Sequence, residues 1–229
     1  MSDGVSRLPK MSLRFADTLD RTAVLHAADL VAGLVAHPAI AAAWTRESSC
    51  AGMSVGGLTR HLVSQPVNVV TLLRADRSEG ADAETIELLE HYSRASWVRE
   101  DLDGEANRSI RDTADQQAND GPDVAAALLS HARADLKAVL ADAPPTTYVP
   151  WQGWSQATDD FLVTRLMEMV VHADDLAASV DVPAPDFGPT VLDPVFRLLT
   201  ALAVKRHGQD ALVRTLTRPQ RAPSSVSAF

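Results

Sequence analysis

Glu168 and His172 lie four residues apart in a segment that is otherwise strongly apolar. On an α-helix this spacing places both side chains on one face, close enough to share a metal ion. The neighbouring residues include Leu166, Met169 and Val170, so the helix is predicted to be buried on most sides. A carboxylate and an imidazole in such a helix need a partner, because an isolated buried charge is costly. The pair is therefore a candidate for metal binding; the alternative is a polar stripe that faces solvent.

The same spacing also joins Glu87 and His91. This second pair lies in a polar segment beside Glu90 and Arg94, whereas Glu168 and its histidine are surrounded by apolar side chains. Because only the apolar setting demands a partner for the charged groups, the sequence favours the Glu168 pair as the functional one.

His61 is the candidate for a third ligand. It lies between Leu58 and Leu62 in a helical pattern, and Gln65 and Asn68 follow on its face of the helix. A lone histidine on a helix is more often a hydrogen-bonded structural residue, which is the alternative interpretation. Two imidazoles and one carboxylate leave an open position on a tetrahedral ion, as in catalytic rather than structural sites. This donor set fits Zn²⁺ first and other divalent metals after it.

Cys50 is the single cysteine of the chain, which excludes an intrachain disulfide and a metal site built from several cysteines. It precedes a predicted helix N-terminus, where the pKa of a thiol can fall. A lone cysteine is nevertheless usually a small buried hydrophobe, and this interpretation is favoured over a nucleophile. Trp151 and Trp154 are predicted to form core or the wall of a pocket.

The composition describes a globular chain of 229 residues, with 46% hydrophobic residues and a formal charge of −9. This acidic balance argues against nucleic-acid binding. Residues 1–13 lack the apolar core of a signal peptide, and polar residues interrupt the most apolar stretch, 22–44. We therefore predict a cytoplasmic protein without a membrane partner, monomeric or homodimeric. It is predicted to be one domain over 1–229, with a core at about 14–180 and a helical extension at 188–229.

Helical periodicity dominates the chain, and no stretch alternates as a strand should. Strong helices are predicted at about 17–35, from 54, at 121–140, from 155 or 158 to about 180, and at 194–207. Residues 77–120 are polar and are predicted to cross over the outside, with weaker helices near 83–99 and 105–117. This order predicts an all-α four-helix bundle with a long crossover between its second and third helices, plus a C-terminal helix.

Two segments carry a resemblance to a known family. WTRESSCAGMSVGGLTRHL at 44–62 and FLVTRLMEMVVHADDLA at 161–177 are similar to the metal-binding segments of the mycothiol-dependent maleylpyruvate isomerase-like family, within the DinB-like four-helix metalloproteins. The tail, 202–218 and the final Ser-Ala-Phe, is similar to endings common in these proteins. The resemblance covers about 17–180 and more loosely the rest. It implies a DinB-like bundle with His61, Glu168 and His172 as the metal triad.

The resemblance also implies mycothiol as the co-substrate. A metal holds a coordinated thiol as thiolate, which can attack an electrophilic carbon or add reversibly to a conjugated double bond. S-transfer to a small electrophile and cis–trans isomerisation both use this chemistry. Isomerising members of the family use an arginine from a separate C-terminal domain, whereas the residues after 180 are predicted to form a helix and a tail. This departure from the family pattern counts against the isomerisation reaction. The residues assigned on this basis are Glu168 and Arg165 as catalytic groups and Gln65, Asn68, Asp175 and Trp154 as thiol- or substrate-binding groups.

Two other classes of function are compatible with the same residues. One is a helical regulator that binds a metal or another ligand without catalysis. The other is a small-molecule hydrolase that activates a metal-bound water. Metal content separates the regulator from the enzymes, and dependence on added thiol separates thiol transfer from hydrolysis.

Overall fold

The computed structural model describes residues 12–101 and 103–229. Residues 1–11, which form most of the segment 1–13 predicted to lack the apolar core of a signal peptide, lie outside these ranges. The elements are α1 Thr22–Val35, α2 Pro38–Ala42, α3 Val55–Arg74, α4 Leu88–Arg94, α5 Ser96–Arg99, α6 Glu105–Ala118, α7 Pro122–Ala141, β1 Thr146–Val149, β2 Trp154–Ala157, α8 Thr158–Ser179, α9 Gly188–His207, α10 Gln209–Thr217 and a 3₁₀ turn Pro219–Arg221. Among the helices in these ranges, none combines the length and the apolar character needed to cross a membrane.

Four helices, α1, α3, α7 and α8, form a bundle. α3 packs against both α7 and α8, and α1 packs against the same two helices from the opposite corner. α9 covers the outer side of α8. The largest fully buried side chains of the bundle come from α3, α7 and α8 and include Leu58, Leu62, Leu129, Leu136, Phe161, Leu162, Leu166 and Met169. The fully buried side chains of α1 are smaller, for example Val24, Ala28 and Val31. The prediction of an all-α, DinB-like bundle is confirmed, and the second and fourth bundle helices are neighbours.

The crossover between α3 and α7 contributes more to the core than its polar composition predicts. α6 packs along α3, although Ala114 and Ala118 are its only buried side chains. Such small residues allow close helix packing without the apolar stripe by which a buried helix is recognised. Ahead of α6, α4 buries Leu88 and Tyr92. The segment was predicted to cross over the outside of the bundle, and the structure adds that parts of it contribute buried side chains to the core.

A short antiparallel ribbon, β1 and β2, precedes α8. Thr147 pairs with Gln156, and Val149 pairs with Trp154. Side chains of directly opposed residues, and of alternate residues along a strand, share one face, so Trp154 and Gln156 lie on the same face. The prediction of a chain without strands was wrong, because four-residue strands are too short for alternation to be recognised. β2 leads directly into α8, which begins at Thr158.

Two helix starts differ from the predicted ones. α1 begins at Thr22 instead of 17, because Asp17 has a left-handed φ of 59° and donates its backbone N–H to Asp159 at the start of α8. α9 begins at Gly188 instead of 194. Its first turn contains the proline at 189, and Pro194, which was predicted to begin the helix, lies within it.

The start of α3 is held in place by close packing. Ser54 caps the helix by accepting the N–H of Gly57, and its own N–H and hydroxyl are donated to Asp115 of α6. Gly56 donates its N–H to the carbonyl of Trp44 at 2.7 Å. A Cβ at Gly56 would lie 2.7 Å from the Trp44 ring and 2.9 Å from its carbonyl oxygen. Glycine is required for this approach, which fixes α3 five residues before His61.

We predict that Gly56→Ala lowers the free energy of unfolding by about 2 kcal/mol, because the added methyl group overpacks against the Trp44 backbone. Gly33→Ala is the matched control. Gly33 is an exposed glycine inside α1, and a Cβ there would meet nothing within 4 Å. Its substitution should stabilise by about 0.5–1 kcal/mol through helix propensity. Urea unfolding followed by circular dichroism measures both, and equal effects of the two substitutions would contradict the packing argument.

Candidate metal centre

Three side chains from α3 and α8 meet on one side of the bundle. Nε2 of His61 lies 3.3 Å from Oε2 of Glu168, and Nε2 of His172 lies 3.1 Å from the same oxygen. The two imidazoles meet edge to face, with 4.8 Å between their centroids. The side chain of Glu168 is 13% exposed and those of the histidines are 21% and 22% exposed. The cluster is therefore recessed but remains open to solvent.

The spacing of these atoms fits one small divalent ion. Ligands at 2.0–2.2 Å from a tetrahedral centre lie about 3.4 Å apart. Both nitrogen–oxygen distances are close to this value, and one ligand atom from each of the three residues lies within 4.8 Å of the others. Two imidazoles and a carboxylate are ligands that zinc accepts.

The far side of the His172 ring is occupied. Its Nδ1 lies 3.0 Å from Oδ2 of Asp175, so an N–H at this position donates to the carboxylate. A neutral His172 then presents the lone pair of Nε2 to the Glu168 oxygen. Two acceptors at 3.1 Å repel each other unless a cation lies between them, and either a proton or a metal ion meets this need. A carboxylate behind a histidine ligand is the usual support of a metal-binding imidazole.

Hydrogen bonds within the cluster oppose the effect of burial on the pKa values of Glu168 and His172. Burial acts to raise the pKa of Glu168, but hydrogen bonds from His172 and His61 outweigh it and hold that pKa well below its usual range. Burial acts to lower the pKa of His172, but hydrogen bonds to Asp175, Cys50 and Glu168 raise it well above its usual range. The site therefore favours a carboxylate beside a positive charge.

Gln65 and Arg165 extend the site by one helical turn. The Gln65 side chain donates to the carbonyl of His61 at 2.8 Å and accepts from Nη1 of Arg165 at 2.7 Å. Gln65 is buried, so these bonds link the backbone at His61 to the guanidinium. Within the described residues Arg165 has no carboxylate partner at ion-pair distance, and its guanidinium lies 5.6 Å from the centre of the Phe161 ring. Its charge is available to the site.

Cys50 lies at the other end of the cluster. The loop before α3 brings its sulfur within 4.8 Å of a His172 nitrogen and an Asp175 oxygen. These three residues form a second set of potential ligands that shares His172 with the first. Because Nδ1 of His172 is hydrogen-bonded to Asp175, Nε2 is the ring nitrogen that remains for an ion, and it lies 3.1 Å from the Glu168 oxygen. The arrangement therefore favours the set with His61 and Glu168 over the set with Cys50. Cys50 is half-buried and packs against the core.

The remaining predicted residues differ in burial and in their partners. Asn68 is half-buried one turn beyond Gln65, on the same side of α3. The Trp154 indole is half-buried and donates to Nδ1 of His91 at 3.3 Å. Trp151 is 54% exposed in the turn between β1 and β2, so its assignment to core or pocket wall was wrong.

His91 was missed by the sequence reasoning, which placed it in an exposed polar segment. The structure buries it at 4% exposure. Burial and the charge of Arg165 lower its pKa to about 4, while Glu168 acts in the opposite direction, so His91 is neutral at physiological pH. The apolar residues Leu88 and Tyr92, spaced by one helical turn, were the available signal for a buried face.

Comparison with known proteins adds one finding. No curated protein and no solved structure matches the chain. The sequence model of the mycothiol maleylpyruvate isomerase N-terminal domain family matches residues 24–177, which include His61, Glu168 and His172. This span covers two thirds of the sequence and reaches from α1 into α8. The chain belongs to the mycothiol maleylpyruvate isomerase N-terminal domain family.

Proposed function

We propose that this protein is a metal-dependent enzyme that uses mycothiol to transfer sulfur to, or to isomerise, a small electrophilic substrate. The observation that carries the proposal is the convergence of two imidazole nitrogens on one Glu168 oxygen at 3.3 and 3.1 Å. Membership of a mycothiol-related family supports the choice of thiol. His61, Glu168 and His172 would hold the ion, with zinc as the first candidate.

A divalent ion bound by these residues would favour the thiolate form of the co-substrate at neutral pH. Asp175 orients His172 through the 3.0 Å hydrogen bond, and Gln65 anchors His61 through its carbonyl. Arg165 supplies a positive charge that can stabilise negative charge as it develops on the electrophile.

The two reactions share their first step. The sulfur electron pair forms a bond to an electrophilic carbon of the substrate. In S-transfer a leaving group departs with its electron pair, or a proton is added, and the conjugate is released. In isomerisation the carbon–sulfur bond forms at a conjugated double bond, rotation occurs, and the same bond breaks to return the thiolate.

We expect His61→Ala to lose the bound metal while keeping the fold. Wild-type protein should hold about one zinc per chain, and the variant should hold less than about a tenth of that, because two ligands bind zinc weakly. His131→Ala is the control, since His131 is exposed on α7. Plasma mass spectrometry after dialysis measures the metal, and circular dichroism verifies the fold. Equal zinc in all three proteins would remove His61 from the ligand set.

Asp175→Ala should weaken zinc binding about 10- to 100-fold, because His172 loses the partner that orients its ring. Asp174→Ala is a matched control at the next position of α8, where the side chain is exposed. Competition with a chromogenic chelator gives both dissociation constants. If the two substitutions have the same effect, the Asp175–His172 hydrogen bond does not support the metal.

Glu168→Gln should reduce turnover per bound zinc about tenfold or more, which corresponds to about 1.4 kcal/mol. The neutral amide leaves the ion more electrophilic, so the ion releases the thiolate less readily. His172→Ala should instead act mainly by loss of metal. The measurement is conjugation of mycothiol to a generic electrophile, divided by zinc content. Wild-type activity per zinc in Glu168→Gln would refute the electronic role of this carboxylate, and wild-type protein without any thiol-dependent turnover would refute the proposed function.

A further inference from the structure

Exposed apolar side chains concentrate on α9 and α10. Five large apolar side chains are exposed among the described residues, and three of them, Phe196, Val213 and Leu216, belong to these two helices. Leu216 is the most exposed of the five, at 74%. A single exposed apolar residue is ordinary on a protein surface, but several on adjacent elements indicate a site of interaction. α10 packs on α9, so the two helices are adjacent.

One side of α10 is apolar and has no partner within the chain. Val213 and Leu216 are three residues apart, so they share this side, which we term the α10 face. Ala211 and Thr215, one helical turn apart, are half-buried and form the side on which the helix packs. No side chain of α10 is fully buried. The α10 face is therefore available to another molecule.

The segment that carries the α10 face is basic, although the chain is acidic. Residues 205–221 contain five Lys or Arg residues and a single aspartate, which gives a charge of +4 in a chain of formal charge −9. The aspartate pairs with Arg214. Among the described residues, Arg206, Arg218 and Arg221 have no ion pair. The segment thus combines exposed apolar side chains with unpaired positive charge.

A groove of the opposite charge lies between α8 and the start of α9. We term it the α8–α9 groove; its volume is about 340 Å³, and apolar side chains such as Phe187 and Phe196 line it. Asp174 and Asp186 also line it, and both are exposed and without an ion pair among the described residues. The stretch 174–193 contains five aspartates and no basic residue. The groove therefore fits an apolar group beside a positive charge.

We propose that the protein forms a two-fold homodimer in which α10 of each copy docks in the α8–α9 groove of the other. Val213 and Leu216 enter the groove beside Phe196, and the basic residues of 205–221 face the aspartates of 174–193. Each surface offers what the other lacks, because both expose apolar side chains and their unpaired charges are of opposite sign. This inference is independent of the metal centre and of the proposed reaction.

The positions of the two surfaces along α9 permit this arrangement. The groove is lined by Leu192 and Phe196 from the first half of α9, whereas α10 follows the C-terminal end of that helix. From Phe196 to His207, at the end of α9, the helix extends about 17 Å. A two-fold axis across the middle of α9 exchanges the ends of the two copies, so that each α10 lies beside the groove of the second copy.

Two-fold symmetry also determines the size of the assembly. α10 has nine residues, so one docked helix is a small contact compared with the 1,200–2,000 Å², roughly, that specific interfaces bury. The symmetric dimer contains this contact twice, and it adds the exposed strip of α9 around Phe196, which lies near the axis. Both α10 faces and both grooves are then occupied, so association stops at two chains.

The first test compares Val213→Asp with Val124→Asp. Both valines are exposed on helices, at 57% and 41%, but Val124 lies on α7, which lines no part of the groove. Sedimentation velocity on a dilution series of the full chain measures the dimer Kd, and thermal melting verifies the fold. Wild type should dimerise with a Kd below about 100 μM. Val213→Asp should raise this Kd at least about 30-fold, because it places a carboxylate in an apolar groove lined by aspartates.

Val124→Asp should change the Kd less than about twofold, since it lies outside both surfaces. Phe196→Asp should weaken the dimer as Val213→Asp does, because it alters the opposite side of the same contact. A wild-type chain that remains monomeric at about 500 μM would overturn the proposal. So would a dimer that Val213→Asp and Val124→Asp affect equally.

Photo-crosslinking tests which surfaces meet. The crosslinking residue p-benzoylphenylalanine replaces Leu216 in an unlabelled chain, which is mixed with a ¹⁵N-labelled wild-type chain and irradiated. Mass spectrometry should find crosslinks from position 216 to labelled peptides within 170–196, and none from a control chain with the same residue at position 124. Crosslinks that join only peptides of one chain, or that reach labelled peptides elsewhere, would contradict the docking of α10 in the groove.

Salt and anionic vesicles test the role of charge and the choice of partner. Between about 0.1 and 1 M NaCl the Debye length falls from about 10 to about 3 Å, so the dimer Kd should rise at least about threefold. A Kd that falls would contradict the charge complementarity. Vesicles of phosphatidylserine and phosphatidylcholine should not bind the dimer through α10. Vesicle binding that Val213→Asp abolishes, by a chain that is monomeric in solution, would assign the α10 face to a membrane surface instead.

Discussion

The carboxylate of Glu168, enclosed between two imidazoles, is the interaction on which the architecture of the site depends. Its oxygen lies within 3.3 Å of nitrogens from two different helices, in a position with little access to solvent. A buried carboxylate that faces lone pairs requires a positive charge, and a proton on His172 or a divalent ion supplies it. The requirement is met only while α3 and α8 remain neighbours in one register. Because each residue turns a helix by about 100°, a shift of one residue along either helix would turn a ligand away from the site.

Contacts at the first turn of α3 and at the first turn of α8 maintain this register. At the start of α3, Ser54 and Asp115 fix the first turn, and Gly56 allows the helix to approach Trp44. At the start of α8, the ribbon sets the first residue at Thr158, and Asp159 and Asp160 bind the backbone of the preceding N-terminal segment. The two helices that carry the candidate ligands are therefore positioned by polar contacts at their first turns and by apolar packing along their length.

The charges around the candidate metal centre are arranged along α8. Asp175 and the half-buried Cys50 lie at one end, against His172. Arg165 and the neutral His91 lie at the other, and Tyr92 follows His91 on α4. The carboxylate of Asp175 beside His172 and the positive charge of Arg165 on the other side give the cluster a direction. In the proposed reaction, the negative charge that develops on the electrophile would lie on the side of Arg165.

The sequence alone was sufficient for features that depend on contacts within one helix. The spacing of Glu168 and His172 places them on one face of any helix, and the periodic apolar residues predict the bundle. His61 lies 107 residues from Glu168, so its nearness to that residue followed from family resemblance and could not follow from spacing. The packing of α6, the short ribbon and the burial of His91 and Tyr92 were decided by the tertiary structure. Small alanine contacts and four-residue strands leave no periodic pattern, and one apolar pair a turn apart, Leu88 and Tyr92, is too short a signal to distinguish a buried helix from an exposed one. The stability of these elements comes from neighbours that are distant in the chain.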